Sequence, residues 1–332
     1  MAFKKFFTLI LALLLVLGAC AKPDVNDSRK DEQISETVTK ELEAFDPASI
    51  RRDPSQKKLF EVSDYSDLDS ILSQLTTAKL LDNYGFSIEQ KTSTEPIDDD
   101  FALDSMSKIK MTVINDGLSL QEEFSQSIEE EGQIFEESMK NFFIAKTDQV
   151  DGPYDIYEAQ KTGDEPYYVH QTESDHLPIN TDFSFESFGK MLDYNEQVSN
   201  EDYAVYEGHF LDDEVVAYMY SDNTDYVFED SKGYLDARMV IDKKTNTIAD
   251  YLFIMDFESL SYPSESQLEE LYAMTDQAQD FEDYKQEYLS VSKYRARNQM
   301  ESHYYDFLFN HDQKVTLTDE MKDILDSQAK QP

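Results

Sequence analysis

The chain has 332 residues, 70 of them acidic against 29 basic, for a net charge of −41. A charge of that size argues against nucleic-acid binding, which rests on neutralising phosphates with lysine and arginine, and against adsorption to anionic lipid or wall polymers. Apolar residues make up 40% and aromatics 13%, too many for a disordered chain and enough to bury a large core.

The first twenty residues form the most specific stretch. Lys4 and Lys5 open it, Phe6 to Val16 is an almost unbroken apolar run, and Leu17-Gly18-Ala19-Cys20 closes it. A charged start, a short apolar core and small residues before a cut site describe an export leader. The run is too short for a resident membrane span, which needs roughly 20 apolar residues. Removing the leader takes Lys4 and Lys5 with it, so the net charge moves from −41 to −43. Cys20 is the only cysteine, which leaves no intramolecular disulfide and no cysteine metal cage.

Residues 21–33 are polar and read as a tether, followed by a narrow amphipathic helix through Ile34, Val38 and Leu42 that ends at Asp46-Pro47. The folded body is expected from about residue 60. Leu68, Ile71, Leu72 and Leu75 have helical spacing, with Ser66 or Asp67 as the cap. Alternation then predicts strands over 84–92 and 105–114, where Lys108 and Lys110 oppose Ile109 and Met111. Asn115-Asp116-Gly117 predicts a hairpin turn. Further strands are expected from Leu120 to Lys146 and over 154–159 and 165–170, then a helix over 183–192 and a strand over 202–211. The stretch 213–219 suits either helix or strand. The clearest hairpin runs from Leu235 to Phe257 around Asp242–Asn246. An acidic helix follows Pro263, two strands are expected within 284–309, and 315–325 reads as a short strand running into a last helix. Strands in hairpins with few helices predict α+β.

The division expected is a leader over 1–19, a tether over 20–59, one α+β domain over 60–326 and a frayed tail over 327–332. Leu17-Gly18-Ala19-Cys20 resembles the lipobox of bacterial lipoproteins. The resemblance implies that the Cys20 thiol is lipidated with acyl chains such as palmitate. It also implies cleavage just before Cys20 and a domain held at the extracytoplasmic face of the cell membrane, in a Gram-positive setting. The body resembles the lipoprotein-localisation and mycobacterial lipoprotein-carrier superfamily, the LolA/LppX-like fold, and Gram-positive lipoproteins that share it. The residues concerned are the helix and strand at 68–88, the Val240–Thr245 hairpin, and Phe307–Asn310 followed by Val315–Glu320. Relatives often carry proline where this chain has Thr318, and the helix near 264–281 is a further departure. This resemblance implies a strongly curved antiparallel half-barrel with helices on its concave face, enclosing an apolar cavity for an acyl chain or similar ligand.

Chemistry-bearing patterns are sparse. None of His170, His176, His209, His303 and His311 has the spacing of a zinc motif, although His170 and His176 flank Glu173 and Asp175. No nucleophile elbow and no phosphate-cradling glycine loop occurs. The acidic clusters 98–100, 212–214 and 222–230 lack the pattern of an EF-hand loop. Tyr167, Tyr168, Tyr203, Tyr206, Tyr218, Tyr220, Tyr226, Tyr304 and Tyr305 suit either a ligand groove or the core and rim of a large sheet. The sequence reading is therefore a non-enzymatic, lipid-anchored binding or carrier protein without cofactor or metal, attached to the membrane through Cys20, with an apolar ligand. The alternative is an acidic surface protein that meets a basic partner. A pheromone octamer, Ala12–Ala19, is a side reading of the leader.

Overall fold

A computed structural model describes residues 42, 44–50, 56–77, 83–97, 105–130, 133–147, 153–175, 191–220, 225–275, 280–309 and 311–329. Cys20, the leader, residues 34–41 of the helix expected from Ile34, the acidic turn at 98–100 and residues 183–190 of the expected middle helix lie outside them, as does His176.

Eleven antiparallel strands form one open sheet: β1 (Tyr84–Pro96), β2 (Ser105–Asn115), β3 (Leu120–Glu130), β4 (Gln133–Lys146), β5 (Tyr154–Thr162), β6 (Tyr168–Ser174), β7 (Asp193–Tyr194), β8 (Tyr203–Leu211), β9 (Tyr226–Asp242), β10 (Thr247–Pro263) and β11 (Tyr294–Phe309). Their order is β6-β5-β4-β3-β2-β1-β11-β10-β9-β8-β7, so the first and last strands meet at the centre and two meanders run outward from them. Neighbouring strands within each meander pair antiparallel, with short polar turns at 116–119 and 243–246 closing tight hairpins, while helical segments lie between β8 and β9 and between β10 and β11. Bulges interrupt the pairing at Gly85/Ser87, Ile248/Asp250 and Glu258/Leu260. Each bulge bends its strand and increases the twist.

Period-two alternation separates the faces. On the core face, Tyr84, Phe86 and Ile88 meet Met111 and Val113, then Tyr304, Tyr251, Met239 and Tyr206 across the sheet. Helix α1 (Leu68–Thr77) lies on this face with Ile71, Leu72 and Leu75 fully buried. The Asp67 carboxylate caps it, accepting from the Ser70 amide at 3.0 Å. Helix α2 (Asp213–Tyr220) adds Val215 to the same core, resolving the undecided stretch 213–219 as helix.

Not every helix is on that face. Helix α5 (Asp319–Ala329) buries Met321 against Phe142, Ile144, Ala159 and Val169. Ile114, which also touches this cluster, is the neighbour of core-facing Val113 and points the other way. The expectation of all helices on one face is thus corrected: with residues alternating, apolar positions at the β4–β6 edge fall on the second face and α5 covers them. Two smaller expectations also change. The stretch 284–309 holds one strand, β11, preceded by helix α4 (Phe281–Ser292) behind α3 (Glu265–Ala273). Tyr272, Phe281, Tyr284 and Tyr288 pack ring to ring along that pair, at 5.3 to 5.6 Å between centroids. Phe281, Tyr284 and Tyr288 stand three and four residues apart, a helix stripe in place of the strand expected from residue 284. Val315 and Leu317 are buried in irregular backbone that joins no strand among the described residues, in place of the short strand expected there.

Candidate functional site: the polar face of the sheet

The second face carries the charge. Register places every lysine and arginine of the described strands there: Lys91 on β1, Lys108 and Lys110 on β2, Lys140 and Lys146 on β4, Lys161 on β5, Lys232 and Arg238 on β9, and Arg295 and Arg297 on β11. The core face holds none, because an ammonium or guanidinium pressed against α1 would have no water and no counter-ion.

Lys91, Lys110, Lys140, Lys161, Arg295 and Arg297 are paired with carboxylates. Lys110 Nζ donates to Glu89 at 2.9 Å and the Tyr305 hydroxyl donates to the same oxygen at 2.8 Å. Those two bonds, Lys110 first, hold the Glu89 carboxyl below its ordinary range. Arg297 grips Asp256 with two bonds, Nε at 2.7 Å and Nη2 at 2.6 Å, and Gln299 adds a third at 3.0 Å. Burial opposes ionisation of Asp256, but these donors outweigh it and its pKa is lowered. His303 Nε2 lies 2.6 Å from Asp250. Burial disfavours the imidazolium there, yet the Asp250 bond and charge prevail and raise the His303 pKa.

Between the β1–β4 rungs lies a groove of about 660 Å³. Ser125, Ser127 and Ser138 give it small hydroxyl-bearing positions, while Lys91, Lys108 and Lys110 and the acids Glu89 and Glu136 border them. Register explains the cluster: Lys91 pairs with Lys108, Lys108 with Ser127, and Ser127 with Glu136. Lys91 also reaches Glu301 at 3.4 Å, whereas no ion pair forms at Lys108 among the described residues. Two lysines directly opposed on neighbouring strands repel. The site offers ammonium and hydroxyl donors, carboxylate acceptors and the aliphatic stems of lysine, which suits a polar or amphiphilic ligand lying across strands.

The residues singled out from sequence scatter. Tyr203, Tyr206 and Tyr304 are buried, Tyr203 on the polar face and the other two on the core face, while Tyr168 is 69% exposed on an edge strand. Tyr218 and Tyr251 share a hydroxyl–hydroxyl bond of 2.8 Å inside the core. Burial pushes the Tyr218 phenol up to about 12, opposed by the bond from Tyr251. These rings fill the core and do not line one groove. His170 is exposed on β6, and among the described residues no cluster of histidine, aspartate or glutamate is arranged to hold a metal ion. In the 212–214 cluster, Asp212 accepts from the Gly233 amide at 3.1 Å and Glu214 from the Leu211 amide at 3.2 Å, so both acids brace the start of α2. The groove residues escaped notice individually. The alternation of Lys108 and Lys110 was visible, but their meeting with Ser127 and Glu136 depends on register across three strands.

No helix among the described residues is long and apolar enough to cross a membrane. A scan against protein-family models finds no match, and a search of curated protein sequences finds none either.

Proposed function

We propose that this chain is a lipid-anchored, extracytoplasmic binding or carrier lipoprotein of LolA/LppX-like kind, held by a lipidated Cys20, whose ligand lies against the polar face of the sheet. The observation that carries the binding reading is the groove of about 660 Å³ bordered by Lys91, Lys108, Lys110 and three serines. That volume falls within the range of small-molecule sites, roughly 300–1,000 Å³. The apolar side chains of the described core are packed, with Ile71, Leu72, Leu75, Met239 and Met255 fully buried. A lipid-like ligand therefore presents its polar head to the groove, with its chain along the lysine stems.

Native mass spectrometry of the protein isolated from membranes tests this reading. A co-purifying ligand that is lost, or bound about tenfold more weakly, in Lys108→Glu supports it. A ligand retained unchanged in Lys108→Glu, or none in any preparation, contradicts it. The second reading, a basic partner, draws on the net charge of −41 and on the exposed run Gln133–Ser138, which holds Glu136 and Glu137. Capture of a basic protein that weakens steeply with salt favours that reading over the first.

A further inference from the structure

The groove on the polar face follows β3, and its two sides carry opposite charge. Register sets the rows. Lys108 on β2 lies opposite Ser127 on β3, and Ser127 lies opposite Glu136 on β4; one row inward come Lys110, Ser125 and Ser138. The Gly163 amide donates to the Ser138 carbonyl at 2.8 Å, and Asp164 joins the lining beside it. Lysines therefore stand on the β2 side and acids on the β4 side, with serines between them. Strand spacing sets the backbones of Lys108 and Glu136 roughly 9.5 Å apart. Gln90, Ile109, Gln126 and Glu137 also border the groove, but they alternate with these residues and belong to the opposite face. On the groove's own face, Lys91, Lys108 and Lys110 are balanced in number by Glu89, Glu136 and Asp164. They do not cancel pair by pair. Glu89 takes Lys110 at 2.9 Å, Glu301 takes Lys91 at 3.4 Å, and in the next row inward Glu123 takes Lys140 at 2.9 Å. Lys108, Glu136 and Asp164 are exposed and form no ion pair among the described residues. One row outward stand Ser93, Met106, Glu129 and Ile134. Met106 and Ile134 are 41% and 65% exposed there, one on each side of Glu129.

We propose that the groove selects a zwitterionic ligand, with an anionic phosphate or carboxylate at Lys108 and the Ser127 hydroxyl and an ammonium group at Glu136 and Asp164. The inference rests on the polar-face ligand site proposed above and adds the charge pattern that the ligand must carry. Both ends of such a ligand form charge-assisted hydrogen bonds, and the opposed signs fix its direction across β3. Selection works by repulsion as well. An anion without an ammonium group leaves Glu136 and Asp164 facing its negative charge, and a cation without an acid group meets Lys108 beside Lys91. Two contacts between solvent-exposed charges discriminate by about tenfold in affinity. The same chemistry occurs in the headgroup of an amphiphile and in a small free zwitterion. Met106 and Ile134 separate the two, because an acyl chain that leaves the groove outward covers them and a free zwitterion does not reach them.

Titration calorimetry on the full chain tests this with three probes: lysophosphatidylethanolamine, which carries phosphate and ammonium, lysophosphatidylglycerol, which carries phosphate alone, and glycerophosphoethanolamine, the zwitterionic headgroup without a chain. Lysophosphatidylethanolamine is expected to bind about tenfold more tightly than lysophosphatidylglycerol. Glu136→Gln removes that preference by weakening the zwitterion alone, whereas Lys108→Gln weakens both lipids. Both substitutions are at exposed positions, and an unchanged thermal midpoint checks that the fold is kept. Ile134→Ser weakens lysophosphatidylethanolamine but not glycerophosphoethanolamine if the ligand is an amphiphile; equal affinity for these two probes, unmoved by Ile134→Ser, supports a free zwitterion. Equal affinity for the two lipids, with Glu136→Gln silent, overturns the charge selection and leaves the groove standing as a ligand site. A preference for the zwitterion that survives Glu136→Gln overturns its placement at this side chain. Failure of all three probes to bind overturns the selection, and a native mass spectrum without any co-purified ligand then removes the ligand site as well.

Discussion

Replacing Gly233 by alanine tests how the sheet is built beside the Glu258/Leu260 bulge. Gly233 sits on β9 at φ +132°, where a Cβ would lie 2.1 Å from the Asp256 carbonyl oxygen and 2.9 Å from Phe257 Cα. Both are backbone atoms of the neighbouring strand, so no rotamer change relieves the contact. The strands must part. That movement disturbs the Gly233 amide's bond to Asp212 at 3.1 Å and the Asp212 amide's bond to the Gly233 carbonyl at 3.0 Å, which together brace α2. Backbone strain of about 1–2 kcal/mol, overpacking of about 1–3 kcal/mol and a weakened hydrogen bond of about 1 kcal/mol combine to roughly 3–6 kcal/mol. Gly163 is the internal control: it is at φ +54° with no atom within 4 Å of an added Cβ, so alanine there meets strain alone, about 1 kcal/mol. Urea unfolding followed by tyrosine fluorescence measures both. With a slope of about 3 kcal/mol/M, Gly233→Ala lowers the midpoint by roughly 1–2 M. Gly163→Ala lowers it by about 0.3 M. Equal midpoints for the two variants refute the close approach at Gly233.

The charged ladders give further expectations. Arg297→Met strands Asp256, which is 8% exposed; the loss is about 2 kcal/mol, below that of a fully buried pair because Arg297 is partly solvated. Since the folded Asp256 pKa is lowered, its contribution is present above its unfolded value near 4 and disappears as pH falls through the folded value; acid unfolding curves of wild type and Arg297→Met converge below pH 4. His303 runs in the opposite sense. Its folded pKa is raised, so the stabilisation is complete below about pH 6.5 and fades as pH rises through the folded value. Midpoints measured from pH 5 to 9 fall in wild type, and His303→Gln flattens that slope. Tyr84 and Tyr218, both pushed up to about 12 by burial, stay protonated at pH 11 while exposed tyrosines ionise; the phenolate absorbance at 295 nm counts them, and their early ionisation in a folded protein speaks against the core assignment.

Local signals carried the fold further than the site. Helix α1 and the β9–β10 hairpin were legible because Leu68, Ile71, Leu72 and Leu75 repeat at helical spacing and Asp242–Asn246 divides two alternating runs. The α4 helix was not, because Tyr284 and Tyr288 are aromatic residues suited to a strand and the stripe they form is shared with Tyr272 of α3. The tie of Phe60 and Tyr65 to the 243–246 turn and the groove both depend on long-range geometry. Asn246 reads as an ordinary turn residue until the Phe60 carbonyl is found beside it, 186 positions earlier in the chain. Likewise Ser125, Ser127 and Ser138 look like ordinary surface hydroxyls until register places Ser127 between Lys108 and Glu136, and Ser125 between Lys110 and Ser138. The placement of α5 on the polar face follows from Phe142 and Ile144, whose facing is fixed only by pairing back to core-facing Val113 through β3.

The proposed anchor is the premise of the lipoprotein reading, and one mass decides it. Protein recovered from the membrane fraction and digested should yield an N-terminal peptide that begins at Cys20, heavier than its sequence by a diacylglyceryl group. An unmodified thiol at Cys20, or a chain that begins elsewhere and is recovered free in the medium, contradicts the account.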